Sequence, residues 1–305
     1  MDTRRILITG GSGFIGSAIV RRLVGPGTQI VLPTREAARA AHLADLPGVE
    51  VVTADIHDAA TLARLAEGTQ AAINLVGVLH SKPGTPWGPE FELAHVALPR
   101  SLAAACHRAG TARLIHISAL GADSRGPSEY QRSKAAGEQA IHEGGTPPAW
   151  TILGPSVVFG PGDSFLNLFA QLVRFIPVLP LAGARTRFQP VFVGDVAEVV
   201  ARCLEDGSTV GQTFELAGPK TYTLAELVHY VCRVTGRRRL VVPLPEPLAM
   251  LQALAMEMLP RPPISRDNVR SLRRDNITAG PPLPFGMAPT PLEDIAPGYL
   301  AGVRH

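Results

Sequence analysis

Near its start the chain runs Ile6-Leu7-Ile8-Thr9-Gly10-Gly11-Ser12-Gly13-Phe14-Ile15-Gly16, an apolar strand ending in a glycine-rich turn, and continues as an amphipathic helix over 14–24. Few local patterns restrict a fold so strongly. Gly10 permits the tight turn, Gly13 lets backbone approach a bound group, and Gly16 lets the helix pack close against the strand. The first N–H groups of such a helix have no partner within it and attract an anion. Gly10, Ser12, Gly13, Phe14, Ile15 and Gly16 therefore read as a seat for the pyrophosphate of a dinucleotide.

The same rhythm continues along the chain. Short apolar runs at 5–9, 28–32, 49–53, 71–76, 114–118 and 150–153 alternate with helical patterns at 14–24, 61–67, 91–109 and 128–142. Strands joined by crossover helices pair in parallel and are covered on both faces, which predicts an α/β, doubly wound Rossmann sheet over 1–155. Past Pro155 prolines cluster, and helical patterns at 195–204 and 223–235 come without regular strands between them. Residues 156–305 thus read as a smaller, mostly helical lobe for a substrate or partner, with 188–193 and 213–216 as candidates to rejoin the sheet. Ligands of such sheets sit outside the carboxyl ends of the strands, where this lobe would form one wall.

With 46% hydrophobic and 18% charged residues, the 305-residue chain can bury a large core, which excludes a disordered or collagen-like protein. Cys106, Cys203 and Cys232 lie far apart without a CxxC pair, which fits a reducing compartment and argues against zinc. Cys106 and Cys203 fall in apolar helical patterns and read as core thiols. His80, His107, His116, His142 and His229 lack metal-ligand spacing and read as surface or packing residues, so no metal is expected. Asp195 reads as a helix cap. Only three apolar residues precede the glycine turn, too few for a secretory leader, and no run is long enough to span a membrane. The expected location is cytoplasmic, with the inner face of a membrane as the peripheral alternative.

At the end of the second strand stands Thr34-Arg35, where an NAD-selecting fold usually places an acid for the ribose 2′-hydroxyl. An arginine pairs with a 2′-phosphate and Thr34 adds a hydroxyl, so NADP(H) is favoured over NAD(H), with Glu36 as the alternative acid. Asp55-Ile56 after the third strand suits the adenine, and Leu75-Val76-Gly77 after the fourth suits close backbone approach to the dinucleotide. Tyr130 and Lys134 are four residues apart, on one helix face, so the ammonium can bind a nicotinamide ribose and lower the phenol pKa, making Tyr130 a candidate general acid/base. With only four tyrosines and three lysines in the chain, chance explains that pair poorly.

With its G-x-x-G-x-x-G turn and its Y-x-x-x-K pair, the chain resembles the extended short-chain dehydrogenase/reductases, which include sugar-nucleotide epimerases and dehydratases. The likeness extends to 154–163, 189–197 and 214–219, and the run 262–276 resembles the atypical branch that contains the NADPH-binding accessory subunit of respiratory complex I and its bacterial relatives. The resemblance implies a catalytic serine after the fifth strand and a cofactor contact at Pro155. Here Ala119 stands in the serine's place, and Ser118, one residue before it, is the candidate for the catalytic role. His95 stands where the epimerases have an asparagine, and Gly154 replaces the arginine that commonly precedes the proline.

The nine arginines between 233 and 274, Arg261 among them, face only Glu246, Glu257 and Asp267, a basic segment suited to peripheral membrane or protein-complex contact. Aromatics do not interleave with them, so nucleic acid is not expected. Residues 247–259 are apolar on nearly all sides; burial in the small lobe is the first expectation and a membrane or partner surface the second. Three functions stay open on sequence. One is an NADP(H)-dependent oxidoreductase on an apolar carbonyl or quinone-like, even lipidic, substrate. A non-catalytic NADPH-binding subunit is the next, and a sugar-nucleotide epimerase the last. Asp163, Arg174, Arg185 and Arg187 are the charges available to a diphosphate in the last case.

Overall fold

A computed structural model describes residues 4–145, 147–259 and 262–301, so Arg261 lies outside the described residues. The first half runs β1 (Arg4–Thr9), α1 (Phe14–Leu23), β2 (Thr28–Thr34), α2 (Ala41–Ala44), β3 (Val49–Thr53), α3 (Ala59–Ala66) and β4 (Ala71–Asn74). A helical turn, α4 (Pro89–Phe91), passes through a π-helical stretch (Glu92–Ala97) into α5 (Leu98–Ala109), followed by β5 (Arg113–Ile117), α6 (Glu129–His142) and β6 (Ala149–Pro155). These six strands pair in parallel in the order β3-β2-β1-β4-β5-β6. The order reverses between β1 and β4, which opens a crevice at their carboxyl ends.

The rest of the chain comprises β7 (Val158–Phe159), α7 (Phe165–Phe175), β8 (Val178–Ala182), β9 (Arg187–Phe188), β10 (Val191–Phe192), α8 (Val193–Glu205) and β11 (Gln212–Leu216). It ends with β12 (Tyr222–Thr223), α9 (Leu224–Val234), β13 (Leu240–Leu244), α10 (Glu246–Met256), α11 (Arg266–Ser271) and α12 (Leu292–Leu300). β11 adds a seventh parallel strand beside β6. Residues 187–192 do not join the sheet; β10 pairs with β7, and β9 with β12. Val196, Val199, Val200 and Cys203 of α8 share one core with Ile19 and Val20 of α1, so the chain returns to the large sheet before it completes the smaller lobe. That lobe is built on α7, α9 and α12 around Phe169, Leu227, Val231 and Ala296.

The 91–109 helix is not continuous, and Pro99 explains the break. Proline has no N–H to return to the carbonyl four residues back, which is that of His95. The π-helical turn leaves this carbonyl directed at α6, where a side chain on Gly137 would come within 2.0 Å of it. Only glycine at 137 lets α6 approach this closely.

One buried cation binds the large sheet to α8. Arg113, 8% exposed, donates to Ala149 O (2.8 Å), Cys203 O (2.9 Å), Thr151 Oγ1 (2.5 Å) and Thr209 Oγ1 (2.6 Å). Among the described residues no carboxylate pairs with it; the carbonyls of Cys203 near the end of α8 and of Ala149 in β6, with two hydroxyls, take its protons instead. Arg113→Met should lower stability by about 2–4 kcal/mol, read as a lower urea midpoint, because it strands buried acceptors.

Candidate active site

The glycine turn forms a cradle that only backbone can shape. Gly10 has φ +78°, and a Cβ at Gly16 would lie 2.5 Å from Gly10 O and from Gly11 Cα. Helix α1 starts without a side-chain cap or an acidic residue in its first turn. The N–H groups of Phe14, Ile15 and Gly16 meet no acceptor among the described residues. Uncapped donors at the positive end of a helix dipole fit an anionic pyrophosphate. Ser12 is half-buried beside them, while the side chain of Ile15 packs into the core.

Parallel pairing brings the other expected positions to the same edge. Thr34 ends β2, but its hydroxyl donates to Glu36 O (3.0 Å) and closes a local turn, so it does not reach outward as expected. Glu36 is paired with Arg39 at 3.3 Å, whereas Arg35 is exposed and has no partner among the described residues. Asp55 accepts from His57 N (3.0 Å) at the exposed end of β3, and Ile56 packs inward. Leu75 N donates to Thr9 O (2.9 Å) and Val76 N to Asn74 Oδ1 (3.2 Å), which leads to an exposed Gly77. Beneath this edge runs a buried polar ladder that the sequence patterns did not reveal. Thr9 Oγ1 donates to Asn74 Oδ1 (2.9 Å), and Asn74 Nδ2 donates to His116 Nδ1 (3.1 Å).

Tyr130 and Lys134 lie on α6, beside the end of β5. Burial pushes the Tyr130 phenol up to about 12. Burial also pulls Lys134 down to about 8, opposed by the Glu138 carboxylate. The expected lowering of the phenol by the ammonium is therefore absent. Lys134 Nζ donates to Ile117 O (3.0 Å) instead, and desolvation dominates at the tyrosine. Ser118 Oγ donates to a Glu138 carboxylate oxygen, and burial raises that carboxyl. Ala119 is half-buried just beyond, and Pro155 is buried at the end of β6, its carbonyl accepting from Leu120 N (2.9 Å). A Cβ at Gly154 would meet Ala119 O at 3.3 Å, so an arginine here would crowd this backbone.

Two further groups position Tyr130. Val78 N–H donates to His95 Nε2 (3.0 Å), which makes that nitrogen an acceptor and leaves the proton on Nδ1, donated to Ser133 Oγ (2.8 Å). Ser133 in turn donates to Tyr130 O (2.9 Å). Burial, and secondarily Lys134, pulls His95 down to about 3, so the ring is neutral, stacked 5.2 Å from Phe91 and edge-on to Tyr130 at 5.4 Å. From the smaller lobe, Asp267 accepts from Glu129 N (2.7 Å) and Tyr130 N (3.0 Å). It thereby caps the helix that carries the phenol, next to the Ser128 capping box. No local pattern announces a cap from a residue so distant in sequence.

Elsewhere, Cys106 and Cys203 are buried thiols pushed up to about 11 by burial. Asp195 does not cap α8. It accepts from Thr290 N (2.7 Å) and Oγ1 (2.8 Å) and tethers the C-terminal segment to that helix. Among the described residues no helix is long and apolar enough to cross a membrane.

The sequence pattern described as the NAD dependent epimerase/dehydratase family matches residues 6–217, the span from β1 past β11. The chain belongs to this family. Within it, the chain is 32% identical over 295 residues to NADH dehydrogenase (ubiquinone) 1 alpha subcomplex subunit 9, mitochondrial, of Mus musculus, covering 94% of this chain and 77% of that protein. It is 34% identical over 251 residues to a ceramide reductase of Caulobacter vibrioides, covering 81% and 75% of the two chains. The solved structure of gox2253 superposes over 100% of this chain and 98% of its own at TM-score 0.75 and 23% identity. UDP-glucose 4-epimerase of Thermus thermophilus, in complex with NAD, superposes over 88% and 99% at TM-score 0.67 and 22% identity. At such identities these two establish the shared fold. The chain is thus an NAD(P)-binding protein of short-chain dehydrogenase/reductase type, with both reductases and complex I subunits among its relatives.

Lys134 carries a testable cost. Its pKa in the folded chain is about 8, against 10.5 for a free lysine, so the buried cation is penalised at every pH below about 8. Stability of the cofactor-free protein should accordingly rise as pH climbs from about 8 toward 10.5. Lys134→Met should raise Tm at neutral pH, by about 2 kcal/mol in stability, with a gain that shrinks over that window, while cofactor affinity falls.

Proposed function

We propose that the chain is an NADP(H)-dependent oxidoreductase that reduces an apolar carbonyl or quinone-like substrate, with Tyr130 delivering the proton and Lys134 binding the nicotinamide ribose. The observation that carries this reading is the state of Tyr130. Its hydroxyl has no partner among the described residues, and its ring stands edge-on to Phe91 at 6.1 Å and to a neutral His95. A phenol pushed to about 12 stays protonated at neutral pH, the form that can give a proton to an oxygen gaining charge. A reduced dinucleotide seated on the glycine turn would supply the hydride. Ser118, held by Glu138, would support the substrate oxygen only after releasing that carboxylate.

The free Arg35 beside a neutralised Glu36 supports NADP(H) over NAD(H). Two of the four charges near a sugar nucleotide's expected diphosphate, Asp163 and Arg187, are engaged within the protein, which leaves Arg174 and Arg185 and favours an apolar substrate. Asp163 caps α7 and accepts from Tyr299 (2.5 Å), and Arg187 is paired with Asp275 at 2.7 Å. The names of two relatives, a ceramide reductase and an NAD(P)H azoreductase of Xenophilus azovorans, point to reductive chemistry.

Ala119 and the engaged Ser118 favour a second reading, in which NADPH is bound and not oxidised and residues 233–274 contact a protein complex or a membrane. Following nicotinamide absorbance of NADPH-loaded protein with short-chain quinones, aldehydes and sugar nucleotides separates the two. The first reading expects oxidation with an apolar acceptor and a loss of about a hundredfold or more in Tyr130→Phe. Tight binding without oxidation across the acceptors supports the second. Arg35→Ala should weaken NADPH about ten- to hundredfold by equilibrium binding and leave NADH nearly unchanged.

A further inference from the structure

We propose that the outer face formed by β8, β13 and α10 docks on a bilayer surface that carries anionic lipid. Helix α10 is packed the wrong way round for a helix of a water-surrounded lobe. Its small residues Ala249 and Ala253 are buried against Ala182 and Val269, while Leu248, Leu251 and Leu254 form an outward stripe, with Leu251 63% exposed. An ordinary surface helix buries its leucines and presents polar groups. The expected burial of 247–259 in the small lobe is thus not what the structure shows, and Met258, just past the helix, is 87% exposed.

The stripe continues onto the strands. β8 and β13 pair in parallel with Leu240 beside Val178 and Val242 beside Pro180. Leu179 and Leu181 point into the lobe's core, so Val178 and Pro180 face outward, and Leu240 is 62% exposed next to them. Side-chain alternation places Ala182 and Leu244 on that same outer face, where α10 covers them. The exposed apolar surface therefore runs without a break from the strands to the helix.

Charge selects the occupant. Arg239 donates to Val173 O (2.6 Å) and so pins the 237–239 loop to the end of α7, beside Arg174 and the exposed Phe175. Arg174, Arg237 and Arg238 have no carboxylate partner among the described residues. The two carboxylates bordering α10 are neutralised, Glu246 by Arg273 and Glu257 by Arg266 at 2.9 Å. Leucines rimmed by free arginines and lacking free carboxylates suit acyl chains beneath anionic headgroups. At 11 residues, about 16 Å, α10 can lie in the interface and not cross it.

The far end of this face borders the site. Glu257 shares a cavity of about 50 Å³ with Phe91, Glu129 and Asp267, and Phe91 contacts Tyr130. Docking would bring the Phe91 side of the site close to the lipid, which suits a substrate that carries an acyl chain. This last step rests on the oxidoreductase reading; the docking does not.

Co-sedimentation with vesicles of phosphatidylcholine, with and without phosphatidylglycerol, tests the docking in the absence of cofactor and acceptor. Native protein should bind the phosphatidylglycerol vesicles alone. Leu251→Glu should bind about tenfold more weakly or worse, and Arg238→Ala about fivefold more weakly, with native thermal unfolding and NADPH affinity. The proposal falls if native protein ignores these vesicles, or if Leu251→Glu binds as the native chain does. It also falls if vesicle-free native protein self-associates through this face and Leu251→Glu abolishes it, which would make the occupant a second copy. Failure of the redox reading leaves the vesicle result standing. If both hold, Leu251→Glu keeps turnover of a water-soluble acceptor and loses it on a vesicle-borne one.

Discussion

Parallel pairing is the constraint from which the rest of this structure follows. Strands that all run one way must be joined by crossings over the sheet faces, and their carboxyl ends then collect along a single edge. The glycine turn after β1, Arg35 after β2, Asp55 after β3, Gly77 after β4, Ser118 after β5 and Pro155 in β6 come from six separate stretches of chain. They meet because each follows or ends a strand of the same sheet. The Thr9-Asn74-His116 ladder beneath that edge ties the ends of β1, β4 and β5 together, with His116 Nε2 at its end buried without a partner among the described residues.

Desolvation dominates the electrostatics of the site. Tyr130, Lys134, Glu138 and His95 are all displaced toward their neutral forms, with burial as the largest cause in each. A pocket of this kind is poor at holding a charged substrate and good at holding a protonated phenol against an apolar one. Two distant elements maintain it. The π-helical turn set up by Pro99 brings His95 against α6, and Asp267 from the smaller lobe caps that helix at Glu129 and Tyr130. The smaller lobe is therefore part of the machinery that orients the phenol.

Much of this was legible in residue order. The Gly10–Gly16 turn, the strand and helix alternation and the Tyr130/Lys134 spacing all report local geometry, and local geometry is what periodicity and backbone preference encode. Thr34 was misread because a side chain that can bond its own turn does so, and spacing alone does not reveal which partner wins. Spacing shows the charge of Lys134 beside Tyr130 but not the burial that outweighs it. Residues 247–259 were misread because a segment apolar on all sides has no periodicity to tell which side faces inward.

By itself the sequence determined the fold class, the glycine turn at the start of α1 and the helix face shared by Tyr130 and Lys134, since each depends on residues within a turn or two of one another. Only the tertiary structure decided that Ser118 is engaged by Glu138, that Asp267 caps α6, that Glu36 is neutralised while Arg35 stays free, and that the leucines of α10 face outward. Those outcomes turn on which of several chemically suitable partners is brought within hydrogen-bond reach and on how much water is removed. Both are set by packing between segments far apart in the chain.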